Sequence, residues 1–159
     1  MKPILILVIL LVSINLYAQK GDVYFTERPT LTPDGNTVIF SYQGDLWKVP
    51  SYGGNAFRLT AMDGIESYPS VSPDGKWLAF SSNQYGNNDV YLTPLKGGEI
   101  KQLTFHESND VVSSWSWDSK TINFDSNRYN AITNFTISIY GETPKRKFPH
   151  YFNTVHNVV

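Results

Sequence analysis

One segment recurs along this chain at a nearly fixed distance, and that recurrence limits the fold more than any other feature. Residues 68–104, YPSVSPDGKWLAFSSNQYGNNDVYLTPLKGGEIKQLT, occur again upstream and, in degenerate form, downstream. Pro33, Asp34, Gly35 and Phe40 lie 40 positions before Pro73, Asp74, Gly75 and Phe80. Asp45, Leu46 and Trp47 lie 44 before Asp89, Val90 and Tyr91, and Gly53, Gly54, Leu59 and Thr60 precede Gly97, Gly98, Leu103 and Thr104 by the same step. Trp117, Asp118, Phe124, Ser126 and Asn127 lie 44 after Pro73, Asp74, Phe80, Ser82 and Asn83. A period of this length marks a repeated supersecondary unit, which buries its apolar face only by stacking on copies of itself.

Each unit reads as β. In Ser72-Pro73-Asp74-Gly75, Pro fixes φ, Asp can hydrogen-bond its own backbone and Gly tolerates positive φ, which together make a turn. Trp77, Ala79 and Ser81 then alternate with Leu78, Phe80 and Ser82 at the two-residue period of a strand. Gly86-Asn87-Asn88 and Gly97-Gly98 supply two more turns, with strands predicted at 66–71, 89–92 and 100–104. Four short antiparallel strands per unit, with turns at fixed offsets, describe a propeller blade. The expectation is an all-β fold, a partial β-propeller of about three four-stranded antiparallel blades in an open arc.

The predicted blades occupy residues 19–60, 61–104 and 105–149, with 150–159 as a tail or the start of a truncated fourth unit. The first is shorter at its central turn, residues 41–44 standing where the second has 81–88. That difference accounts for a step of 40 before the turn and 44 after it. The third is degenerate: Pro-Asp-Gly has become Trp117-Asp118-Ser119, without the Pro constraint or the Gly. Propellers close with roughly four to eight blades, so three predict either part of a longer protein or copies associating into a ring through their open blade edges. The first is the expectation.

Residues 1–18 are a different kind of chain. A basic end at Lys2, an apolar run from Ile4 to Val12 and a small Ala18 before Gln19 predict a cleaved signal peptide, because the run is shorter than the roughly 20 residues of a membrane span. The destination is periplasmic or secreted, with no membrane association after cleavage. A formal charge of −1 gives no footprint for nucleic acid. The absence of cysteine from the sequence excludes a disulfide framework, so packing must hold the fold.

The 23 aromatic residues (4 Trp, 10 Tyr, 9 Phe) are read mainly as core. Phe40, Phe80 and Phe124 share one position and should bury against the next blade for roughly 1.5–3 kcal/mol each; Trp47 and Tyr91 share another. Trp77, Trp115 and Trp117 have looser equivalents. Asp34, Asp74 and Asp118 share the turn, and Asp45 and Asp89 share the position opening a strand. A residue required once per blade is doing a backbone-capping job, whereas catalysis needs one special environment. The Gly53-Gly54 and Gly97-Gly98 pairs precede no helix and form no phosphate cradle. His106, His150 and His156 are scattered and lack zinc-ligand spacing. His106, Asp110 and Ser113, Ser114 or Ser116 can be drawn as a triad, but any serine-rich chain offers as much, and there is no GxSxG elbow. The run Lys145-Arg146-Lys147 is read as a solvated edge. No catalytic, cofactor-binding or metal-binding residue is predicted.

Residues 72–83, then Gly86, Asp89-Val90-Tyr91, Gly97-Gly98-Glu99 and Gln102-Leu103-Thr104, closely resemble the WD-repeat-like propeller repeat of the TolB family and of tricorn-type proteases. The resemblance covers residues 29–146. The wording Ser41-Tyr42-Gln43-Gly44-Asp45-Leu46-Trp47-Lys48-Val49-Pro50 is most similar to the opening blade of secreted tricorn-like serine peptidases. That resemblance implies a non-catalytic propeller segment that scaffolds and gates access of peptide substrates, with the catalytic residues C-terminal to residue 159. The alternative is a TolB-like periplasmic propeller that binds protein in an envelope complex. Either implies a peptide or protein partner and no cofactor.

Overall fold

The computed structural model describes residues 28–129 and 131–148. The signal-peptide and tail readings, at 1–18 and 150–159, therefore lie outside the described residues. Among the described residues twelve strands run in chain order: β1 (Thr30–Leu31), β2 (Thr37–Tyr42), β3 (Asp45–Pro50), β4 (Phe57–Arg58), β5 (Glu66–Val71), β6 (Trp77–Ser82), β7 (Asp89–Pro94), β8 (Lys101–Gln102), β9 (Asp110–Trp115), β10 (Thr121–Ser126), β11 (Thr133–Ser138) and β12 (Lys145–Arg146). They make three antiparallel four-stranded sheets, each in simple meander order, and no sheet closes on itself. The expected open arc of blades is the observed fold. Contacts of β5 with both β1 and β9 place these three strands along the inner side of the arc.

The turn chemistry repeats atom for atom. In each blade a hydroxyl donates to the turn aspartate at 2.6 Å: Thr32 to Asp34, Ser72 to Asp74 and Ser116 to Asp118. Each aspartate also accepts the N–H two residues on, from Asn36, Lys76 or Lys120, at 3.1 Å. These bonds hold all three carboxyls below the usual aspartate range. The third turn keeps this geometry without Pro or Gly. Ser119 takes the left-handed φ of 60° where Gly35 and Gly75 have 73° and 68°.

The period-two pattern sorts side chains to the two faces of each sheet. In blade 2, Leu78, Phe80 and Tyr91 pack with Ile39 and Leu46 of blade 1. Ala79, Val90 and Leu92 pack with Val112, Ile122, Phe124, Phe135 and Ile137 of blade 3. Phe80 and Phe124 thus bury against the preceding blade, not the following one. Phe40 is equally buried, on the face of blade 1 opposite Ile39. Each of these phenylalanines stands across from an aromatic: Phe40 from Trp47, Phe80 from Tyr91, Phe124 from Phe135. The last two pairs stack at centroid distances of 5.6 and 5.7 Å. Trp117 is 75% exposed and sits outside this core.

Asp45 and Asp89 depart from the backbone-capping role. Asp45 pairs with the Arg58 guanidinium at 3.0 Å, and Asp89 accepts from the Thr104 hydroxyl at 2.9 Å and Gln102 Nε2 at 3.1 Å. The capping group is the threonine: the hydroxyls of Thr60 and Thr104 accept the N–H groups of Leu46 and Val90. The aspartates instead tie the third strand of the blade to the fourth.

Candidate functional site

The inner strand of blade 2 breaks its own regularity. Register runs Glu66↔Ser82 and Ser67↔Ser81, then Ser70↔Ala79, so Tyr68 and Pro69 together stand opposite Phe80. Such a bulge bends a strand and re-aims a side chain. Tyr68 has φ 52°, a conformation that costs a bulky residue on the order of 1–3 kcal/mol. Arg28, 40 positions earlier, also has a positive φ, 32°, so the conformation is one that two blades share. The Tyr68 ring half-buries against the blade 2–blade 3 core, and the Arg28 guanidinium lies 5.1 Å from its centroid.

Tyr68 and Arg28 form one wall of a cleft of about 380 Å³; Asn109 and Val111 continue it, and Asp125, Asn127 and Ile132 of blade 3 complete it. The linker from blade 2 places Asn109 just before β9, and the β10–β11 turn places Asn127. Asn127 Oδ1 accepts the Asn109 backbone N–H at 2.8 Å, and Asn109 Oδ1 accepts that of Asn88 at 3.0 Å. Both oxygens are thus engaged by backbone N–H groups. Asp125 accepts from Asn134 Nδ2. The cleft therefore brings together amide groups, a cation, an aromatic face and a carboxylate, with aliphatic side chains among them.

Behind it the inner strands begin on buried acids. Glu66, fully buried, accepts the Thr60 hydroxyl and the Met62 N–H. Burial pushes its carboxyl up, with the Asp45 charge adding to the shift. Asp110, also fully buried, is paired with Arg128 at 2.5 Å. Desolvation also raises Asp89, and the Asp110 charge contributes. These groups fix the strand ends that carry the cleft.

The residues considered for chemistry in the sequence are spoken for or apart. Asp110 faces Arg128, Ser116 bonds Asp118, Ser113 donates to the Asn123 carbonyl, and Ser114 accepts from Asn123 Nδ2. His106 is exposed, its Nδ1 accepting the Ser108 N–H at 3.1 Å. His150 and His156 lie outside the described residues. Among the described residues no three His, Cys, Asp or Glu side chains gather as metal ligands. Sequence reasoning missed Arg28, Tyr68 and Asn109. Asn127 had a signal in its 44-residue spacing from Asn83, and Asn83 Oδ1 accepts the Ile65 N–H just as Asn127 serves Asn109.

Comparison with known proteins supports the same architecture. The family model of the tricorn protease N-terminal beta propeller domain matches residues 24–153. Tricorn protease homolog 1 of Streptomyces coelicolor is 35% identical over 60 residues, covering 38% of this chain and 6% of that relative. The chain thus spans a small part of that protein's length. Among solved structures, a protein assigned as TolB from Agrobacterium tumefaciens superposes with a TM-score of 0.70 at 22% identity, covering 76% of this chain and 45% of the other. The tricorn protease superposes with a TM-score of 0.57 at 13% identity, covering 70% of this chain and 13% of its own. At such identities the structures speak for the fold.

Proposed function

The chain belongs to the family of tricorn protease N-terminal beta propeller domains, and on that premise we propose that it is a non-catalytic module that binds protein or peptide segments in the cleft beside Tyr68. The observation that carries this is Arg28 lying over Tyr68 in the cleft. A strained tyrosine, stacked under an arginine, lines a concave surface of mixed donors and aliphatic side chains, which suits an extended polypeptide. A TolB-like reading, a propeller that holds a protein partner in the cell envelope, is favoured by the closer superposition with the TolB fold. The signal-like residues 1–18 support an extracytoplasmic, periplasmic or secreted, location. A second reading has support in the sequence match to Tricorn protease homolog 1: the module would guide peptides toward a peptidase region elsewhere in a longer protein. Both assign this chain the same work, binding.

The test is retention of a random-sequence decapeptide pool by the immobilised chain, read by mass spectrometry, with Tyr68→Asn as the comparison. Retention that falls with the substitution, with the peptides recovered intact, supports the proposal. Equal retention by both proteins contradicts it.

A further inference from the structure

We propose, building on the peptide-binding reading above, that the segment taken by this cleft carries a carboxylate and that Arg28 is the residue that selects it. Three arginines among the described residues lie over aromatic rings: Arg146 over Tyr129 at 5.2 Å on the outer strand β12, Arg128 and Arg28. Arg128 lies 5.6 and 5.1 Å from the centroids of Phe124 and Phe135, and its charge is spent on Asp110 at 2.5 Å. Arg28 lies over Tyr68 in the same manner, yet the ion pairs among the described residues are Arg58–Asp45, Lys76–Asp74 and Arg128–Asp110. Its fork of donors is held by the ring and has no acid among the described residues to serve. A guanidinium so placed suits a carboxylate, which it can meet with two parallel hydrogen bonds.

The neighbours make the same selection. Asn127 and Asn109 line the same cleft, their oxygens taken by backbone N–H groups and their Nδ2 groups left as donors. These add neutral donors to the cation. Asp125, on the blade 3 wall, repels a carboxylate there and draws it toward Arg28, while its charge suits the N–H groups of an extended backbone. Val111 and Ile132, the latter 53% exposed, offer aliphatic surface beside the charged end. The ligand class is therefore an extended peptide with a carboxylate next to an aliphatic residue, the carboxylate coming from an acidic side chain or from the chain terminus.

Calorimetry with the full chain and short N-acetylated peptides of Gly, Ser and Val tests this. Three forms share one sequence: a C-terminal amide, a free C-terminal carboxylate, and an amide with one internal Asp. The expected result is that at least one carboxylate form binds about tenfold more tightly than the neutral amide, and the stronger of the two names the source. High salt should shrink that preference. Arg28→Met should abolish it, so that the variant binds all three forms alike whatever its affinity for the neutral peptide; Arg28 is exposed, and an unaltered near-ultraviolet spectrum checks the fold. Equal binding of all three forms, or a preference that survives Arg28→Met, overturns the role of Arg28 and leaves peptide binding standing. Binding of none of the three overturns both.

Discussion

The Ser119 hydroxyl accepts the backbone N–H of Asp74 at 3.0 Å, tying the turn of blade 3 to the turn of blade 2. The serine stands where the other blades have Gly35 and Gly75, and it is buried. The departure from Pro-Asp-Gly therefore gives a cross-blade bond in exchange for a strained φ. Ser119→Ala keeps the strain and loses the bond, at an expected cost of about 1–2 kcal/mol. Ser119→Gly loses the bond but relieves the strain, so it should lie closer to the parent. Urea unfolding of the three proteins gives the order; alanine at or above glycine would contradict it.

Glu66 sets a pH dependence. A carboxyl whose pKa is raised in the folded state holds its proton more tightly there. It contributes stability at low pH that is lost as pH rises through the folded value. Asp89 acts in the same direction, while the turn aspartates Asp34, Asp74 and Asp118, with lowered values, act in the opposite one. Subtracting the Glu66→Gln stability profile from the parent's isolates the first contribution. The parent should lose ground to the variant as pH rises; a difference that is flat or of opposite slope would refute this account of Glu66.

Phe80 and Phe124 are fully buried between blades, whereas Trp117 is largely exposed. Phe80→Ala or Phe124→Ala should cost about 3–5 kcal/mol, and Trp117→Ala about 0.5 kcal/mol or less. Unfolding free energies check this directly. A Trp117 cost comparable with either phenylalanine would mean that the blade interfaces lie elsewhere.

Tyr68→Asn should separate stability from binding. Asparagine tolerates the left-handed φ better than tyrosine, so the variant should unfold within about 1 kcal/mol of the parent while losing most peptide affinity. Melting and calorimetry together decide it. Loss of fold without a specific loss of binding would return Tyr68 to a structural role.

The blades were legible in the sequence because each rests on local chemistry repeated at fixed spacing. Ser72 and Asp74, Phe80 and Tyr91, and Asp89 and Thr104 each have counterparts one repeat away. What recurs is what every blade requires, down to the inner-strand register shift of blades 2 and 3, while the side chains carried at those positions differ. Tyr68 corresponds to Val112, Ser119 to Gly75, and neither departure announces its geometry. The register shift recurs in blade 3 without a positive φ at Val112, so the φ of Tyr68 is its own, and the reach of Ser119 comes from the stacking of one turn on another. Arg28 stands 40 positions before Tyr68 and shares its positive φ, but the two residue types differ, so the periodicity did not single the position out. The role of Asp89 was misread because its position was visible but its partners, Gln102 and Thr104, are brought to it by the meander.

Chemical-shift mapping of the isotopically labelled full chain, titrated with the carboxylate peptide, tests the central claim most directly. The account predicts that the perturbed amides cluster at residues 66–70, 109–112 and 125–129, around the inner-strand cleft. Perturbations confined to the outer strands β4, β8 and β12, or none at saturating peptide, would contradict it.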